Sequence, residues 1–105
     1  LRRAEKNSDG SLLILVVHTT GVSDDTARLM TYYADLVWAC ASDSVWETVG
    51  PKAVLQIGLG IPVFALTQAG KELVRTRLGS VSQCVSQYSE DLPRVIERRR
   101  PKPLI

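Results

Sequence analysis

The chain has 105 residues and a formal net charge of +2; 45% of its residues are hydrophobic and 23% are charged. This length suits one domain with its own core, and the composition is that of an ordinary globular protein. The longest apolar run, Leu12–Val17, is far shorter than the roughly 20 residues that cross a bilayer, which excludes a membrane-spanning role. Residues 11–79 carry five basic and six acidic side chains, so the excess positive charge lies in the chain ends and nucleic-acid binding is also excluded.

The use of cysteine indicates a reducing compartment. Cys40 and Cys84 are 44 residues apart, and neither has a second Cys or His beside it. This spacing matches neither a zinc site nor a disulfide framework. The charged opening residues are not followed by the apolar segment of a signal peptide. We therefore predict a cytoplasmic protein without a bound metal.

The first half of the chain predicts a strand, a helix and a second strand. Residues 1–11 are polar and charged, and we expect them to form a mobile lead-in. Leu12–His18 is almost continuously apolar, which is typical of a strand buried on both faces, and a covering layer is expected on each side of the sheet. Ser23 has the position of a helix N-cap, with two aspartates after it that complement the helix dipole. The helix should end near Ala34, before a second apolar strand at Leu36–Ala41.

The pattern is less decisive in the middle of the chain. Ser44 and Glu47 have the spacing of a capping box at the start of a second helix. The segment Ala53–Ile57 is too short for its periodicity to separate helix from strand. Both alternatives stay open there, with a slight preference for helix.

The remaining elements complete an alternating pattern. Ile61–Leu66 predicts a third clear strand, and Thr67 predicts the cap of a helix that continues through Leu78. Residues 12–88 would form the single domain, followed by a basic, disordered tail at 89–105. Alternating strands and helices with short links are typical of right-handed crossovers. We therefore predict a three-layer α/β domain with a short, mostly parallel sheet of three to four strands, equivalent to half of a Rossmann-like fold.

Such a sheet would gather polar residues at the carboxyl ends of its strands, where open α/β sheets bind ligands. Three helix N-termini would point free backbone N–H groups at the same edge, and such groups favour phosphates or carboxylates. We therefore predict an anionic small molecule or cofactor there, whose identity the sequence does not specify. The predicted ligand-binding residues are Thr19, Thr20, Gly21, Ser23, Ser42, Thr67 and Gln68.

Two residues at this edge have side chains suited to catalysis. His18 is the only histidine and is the side-chain type that titrates near neutral pH, which suits a general base; a structural hydrogen bond to the following turn is the alternative. Cys40 ends a strand close to a helix start, where a thiolate is favoured; a buried, inert thiol is the alternative. The residues alone leave both pairs of alternatives open.

Five short segments of the chain match a known family in their order and spacing. They are Val17–Gly21, Cys40–Ser42, Leu55–Gly58, Ile61–Ala65 and Gly70–Glu72. Together they resemble the carboxy-terminal part of the methanogenesis marker protein 8 family of methanogenic archaea, over approximately Leu12–Leu78. The resemblance implies a cytoplasmic protein that serves methyl-coenzyme M reductase in its assembly, modification or cofactor supply. It assigns no catalytic residue. Members of that family have a longer amino-terminal portion with further cysteines, which this chain lacks.

We therefore predict an accessory protein of methanogenesis that acts as a binding or maturation module. One alternative is an enzyme that uses Cys40 or His18 on a bound substrate. Another is an interaction domain that docks onto the missing amino-terminal portion, onto a methanogenesis protein or onto a second copy of the chain.

Overall fold

The computed structural model describes residues 1–78 and Lys102. Within these residues the elements follow in the order α1 (Arg2–Lys6), β1 (Leu15–Val16), α2 (Asp24–Tyr33), β2 (Leu36–Trp38), α3 (Asp43–Thr48), a 3-10 turn (Gly50–Lys52), β3 (Leu55–Ile57), β4 (Val63–Ala65) and α4 (Gln68–Leu78). No helix in this part of the chain is both long and apolar enough to cross a membrane. Cys84 and, except for Lys102, the predicted tail at 89–105 lie outside the described residues.

The four strands form one mixed sheet in the order β1-β2-β4-β3. β1 and β2 are parallel, with Leu15 opposite Leu36. β4 lies between β2 and β3 and is antiparallel to both, so Phe64 is opposite Val37 on one side and Gln56 on the other. The α/β class and the strand number agree with the prediction. The expectation of a mostly parallel sheet is wrong, because two of the three strand pairings are antiparallel.

The direction of β4 follows from the connection that precedes it. The segment 53–57, for which the sequence slightly favours a helix, contains β3, and the loop 58–62 joins it directly to β4. Parallel neighbours need a crossover of a dozen or more residues, whereas a loop this short joins antiparallel strands. The β3–β4 hairpin therefore replaces one of the predicted crossovers.

One face of the sheet carries the main core. Val37 and Phe64 are fully buried there beneath α2 and α3, which contribute small and branched apolar side chains. Trp46 of α3 packs edge-to-face on Phe64, with ring centroids 5.3 Å apart. This geometry adds to the apolar burial of both rings. α2 and α3 thus form the covering layer that the apolar strands require on this side.

The second face is only partly covered. Val74 of α4 packs with Leu36, Leu55 and Ala65, but β1 lies at the sheet edge beyond this contact. Leu15 is therefore 46% exposed, although the sequence predicts a first strand buried on both faces. An apolar groove of about 250 Å³ remains beside it. The groove is lined by Leu15, Leu36, Trp38, Ile57, Val63, Leu73 and Val74.

The helix starts are set by local side-chain caps. The Ser23 hydroxyl accepts a hydrogen bond from the Thr26 N–H, as predicted for α2. At α3 the cap is Ser42, whose hydroxyl accepts from the Val45 N–H at 3.2 Å, so the prediction of Ser44 as the cap is wrong. Ser42 follows the turn at Cys40 and Ala41 by which the chain leaves β2. The helix that it caps begins at Asp43, which places Ser44 inside the helix.

The buried carboxylate of Asp35, just before β2, binds the amino-terminal segment to the sheet. Residues 1–11, for which we expect a mobile lead-in, contain α1, and Arg2 Nη2 donates to Asp35 Oδ2 at 2.7 Å. Asp35 is 3% exposed and also accepts from the Ile14 N–H at 2.8 Å and from the Thr67 hydroxyl at 2.6 Å. Burial by itself raises the pKa of Asp35, but the hydrogen bonds from Thr67, Ile14 and Arg2 and the charge of Arg2 outweigh it and hold that pKa below its usual value.

Candidate functional site

The candidate site is the edge of the sheet at which β1, β2 and β3 end and β4 begins. It consists of the loops 17–23, 39–42 and 58–62, and we call it the His18–Cys40 edge. The first two loops each lead from a parallel strand into a capped helix, and the third is the β3–β4 hairpin. The backbone links the second and third loops, because the Ala39 N–H donates to the Pro62 carbonyl at 2.9 Å.

Left-handed backbone conformations are concentrated at this edge. In the described part of the chain, the non-glycine residues with positive φ are His18 at 58° and Cys40 at 49°. Gly21 and Gly58 have φ values of 84° and 79° and lie in the first and third loops of this edge. Such a conformation is unfavourable for a residue with a Cβ atom, and residues held in it cluster at functional sites. The two residues that the sequence singles out for their chemistry are thus the two held in this conformation.

The threonines of the first loop connect it to the second loop. Thr19 is fully buried. Its hydroxyl donates toward two carbonyl oxygens of the second strand exit, that of Trp38 at 2.6 Å and that of Ala39 at 2.8 Å. The Thr20 hydroxyl accepts from the Ala41 N–H at 3.2 Å. These bonds hold the exits of β1 and β2 together. Because Thr20 is exposed and accepts in this contact, its own O–H remains able to donate to a ligand.

The predicted serines act mainly as helix caps. Ser42 is buried, and Ser23 donates to the Thr26 hydroxyl in addition to accepting from the Thr26 N–H. Acidic residues follow both caps: Asp24 and Asp25 in α2 and Asp43 in α3. Their negative charge offsets the attraction of the helix N-termini for an anion. α3 is also only six residues long, so its dipole is small.

Thr67 and Gln68 do not belong to this edge. Because β4 is antiparallel to its neighbours, its carboxyl end lies at the opposite edge, where Thr67 donates to Asp35 and accepts from the Gly70 N–H. Gln68 Nε2 donates to Glu72 Oε1 at 3.3 Å on the exposed side of α4. The prediction that three helix starts share one edge is therefore wrong, and two of them do.

The accessible chemistry of the edge comes from two side chains. His18 is exposed, and Cys40 is a partly exposed free thiol. The described residues contain no group of three or more His, Cys, Asp or Glu side chains arranged to hold a metal ion. The third loop was not among the predicted site residues, although the glycines at Gly58 and Gly60 are typical of a turn.

Comparison with known proteins places this chain among archaeal proteins. Residues 1–79 match the family DUF2099, described as "Uncharacterized protein conserved in archaea". The chain belongs to this family. The DUF2099 chain is also similar to "Uncharacterized protein MJ0054" of the methanogen Methanocaldococcus jannaschii, with 38% identity over 102 residues. The match covers 95% of this chain and 34% of the relative, so the chain spans about a third of the relative's length. No solved structure matches it.

Proposed function

We propose that this DUF2099 chain is the ligand-binding module of an accessory protein of methanogenesis, and that a small molecule binds at the His18–Cys40 edge. Two observations support the biological setting. One is the relative from a methanogen. The other is the resemblance to the marker protein 8 family. Of the five matching segments, four end, begin or lie at the His18–Cys40 edge: Val17–Gly21, Cys40–Ser42, Leu55–Gly58 and Ile61–Ala65.

The observation that carries the proposal is the positive φ of both His18 and Cys40. A strand-to-helix turn can be built with glycine at its left-handed position, as the chain does at Gly21. Keeping a larger side chain there costs about 1–2 kcal/mol per residue, and a side chain that recognises a ligand would explain why the cost is tolerated.

The charges at this edge refine the class of ligand. Asp24, Asp25 and Asp43 surround the two helix starts, so a multiply charged anion is disfavoured there. A neutral or singly charged molecule fits better, because the donors offered by the exposed side chains are the Thr20 hydroxyl and the His18 imidazole. The Cys40 thiol would contact an apolar or soft part of the same molecule.

The proposal is tested by fragment screening with ¹H–¹⁵N correlation spectra of the full chain. The probes are a set of neutral, singly anionic and singly cationic fragments of fewer than about 15 heavy atoms. Binding fragments should shift amide signals of the loops 17–23, 39–42 and 58–62 together, and His18→Ala should remove the effect. The site would be refuted if the binding fragments leave the amide signals of these loops unshifted, or if they shift these signals equally in His18→Ala.

A second candidate function is that of an interaction domain. The observation that favours it is the partly uncovered second face, where the exposed side chain of Leu15 lines an apolar groove. The occupant would be a part of the longer family protein that this chain does not include. Co-expression with the rest of a full-length homologue should yield a complex that Leu15→Glu disrupts and Leu29→Glu, on the exposed side of α2, does not.

A further inference from the structure

A second groove lies on the helical layer, away from the His18–Cys40 edge. It has a volume of about 440 Å³, within the range of small-molecule sites. α2 and the end of α3 with the 3-10 turn form its walls. Its lining residues are Arg28, Thr31, Tyr32, Thr48 and Lys52.

The groove is positively charged, unlike the His18–Cys40 edge. Arg28 and Lys52 both line it, and the described lining residues include no carboxylate. Arg28 forms an ion pair with Asp25, but both side chains are mostly solvent-exposed, at 60% and 84%. An exposed pair of this kind is weak, and a guanidinium has five N–H donors, so Arg28 can bind a further anion. Lys52 is exposed as well and adds a second cation.

The remaining lining residues suit the body of an organic molecule. Tyr32 is 79% exposed although it is a large aromatic side chain, and its ring is available for stacking. The Thr31 hydroxyl donates to the Ala27 carbonyl at 3.2 Å and keeps lone pairs that can accept. Thr48 supplies another hydroxyl on the opposite wall. Aromatic surface thus lies in the same groove as two cations and two hydroxyl groups.

We propose that this groove binds a small molecule with a planar ring and one phosphate or carboxylate group. The acidic group lies between Arg28 and Lys52, and the ring packs on Tyr32. This site is independent of the ligand proposed for the His18–Cys40 edge, because the two sites share no residue.

The test is a titration of the full ¹⁵N-labelled chain with phenyl phosphate, with inorganic phosphate and benzylamine as comparison probes. Phenyl phosphate should give saturable shifts at the amides of Thr31, Tyr32, Thr48 and Lys52. Inorganic phosphate should bind at least about threefold more weakly, because it lacks the ring. Benzylamine has a similar ring and the opposite charge, and it should give no saturable shift.

Variants separate this groove from general attraction of anions. Arg28→Ala and Lys52→Ala should each weaken phenyl phosphate binding by about tenfold, and Tyr32→Ala should remove its advantage over inorganic phosphate. Arg75→Ala, which removes an exposed cation from α4, is the matched control and should leave the affinity unchanged. The proposal is overturned if phenyl phosphate gives no saturable shift in the groove, if Arg75→Ala weakens binding as much as Arg28→Ala, or if benzylamine binds equally well. Shifts confined to the loops of the His18–Cys40 edge would also overturn it, without affecting the proposed function.

Discussion

Replacing Asp35 by asparagine should destabilise the fold by about 2 kcal/mol. The carboxylate accepts from Arg2, the Ile14 N–H and the Thr67 hydroxyl, and its side chain is 4% exposed. Asparagine can keep its carbonyl oxygen toward Arg2 and Ile14, but its NH₂ group then faces Thr67 and cannot accept the hydrogen bond that the Thr67 hydroxyl donates to the carboxylate. The variant therefore loses the charge and the Thr67 donation. Hydrogen bonds to charged groups contribute about 1.5–3 kcal/mol each, and the loss here corresponds to about one of them.

The assay is urea unfolding of the full chain at pH 7, followed by tryptophan fluorescence, to which the buried Trp46 and the partly buried Trp38 contribute. Asp9→Asn, at an exposed turn, is the matched control and should change the free energy of unfolding by less than about 0.5 kcal/mol. Asp35→Ala leaves all three donors without their acceptor and should cost about 3–5 kcal/mol. That is a large part of the 5–15 kcal/mol that stabilises a typical domain.

The pH dependence provides a second check on the same residue. The pKa of folded Asp35 is lowered, so its stabilising effect is complete above the unfolded value of about 3.9 and is lost as the pH falls through that value toward the folded pKa. Asparagine does not titrate. The difference in unfolding free energy between the natural chain and Asp35→Asn should therefore shrink as the pH is lowered from about 6 to about 2.5. A difference that stays constant over this range, or an Asp35→Asn variant as stable as Asp9→Asn, would refute the assigned role.

Three further changes test other parts of the fold by the same unfolding assay. Gly70→Ala should cost about 1–3 kcal/mol despite improved helix propensity, because the added Cβ would clash with the backbone carbonyl oxygen of Asp35. Gly60→Ala, with no atom within 4 Å of the new Cβ, should be nearly neutral, and equal effects of the two changes would contradict the clash. His18→Gly should raise stability by about 1 kcal/mol by removing a Cβ from a left-handed position, whereas a loss of stability would mean that the imidazole makes stabilising contacts. Thr19→Val should cost about 1 kcal/mol, because it removes the hydroxyl that joins the first two loops. Thr76→Val, on the exposed side of α4, should cost less, and the opposite ranking would argue against the link between the loops.

The candidate site was only partly predictable from the sequence, because its parts depend on different kinds of contact. The loop after β1 could be located because an apolar run ends at His18 and a cap follows at Ser23. Those signals involve neighbouring residues. The placement of Thr67 failed because it required the direction of β4, which the hairpin loop 58–62 determines together with pairing to β2 and β3. The charge of the edge could also have been anticipated, since Asp24, Asp25 and Asp43 follow the caps directly.

The sequence by itself determined the α/β class, three of the four strand segments and the starts of α2 and α4, because apolar runs and cap hydroxyls act over a few residues. The segment that forms β3 stayed ambiguous because it is too short for its periodicity to be decisive. Tertiary structure decided which strands pair, in which direction and which faces are covered. Leu15 illustrates the difference. Its apolar surroundings in the sequence are typical of a strand buried on both sides, yet it lies at the sheet edge and is 46% exposed, because α4 covers the other strands. Burial depends on contacts between residues far apart in the chain, and local pattern does not encode them.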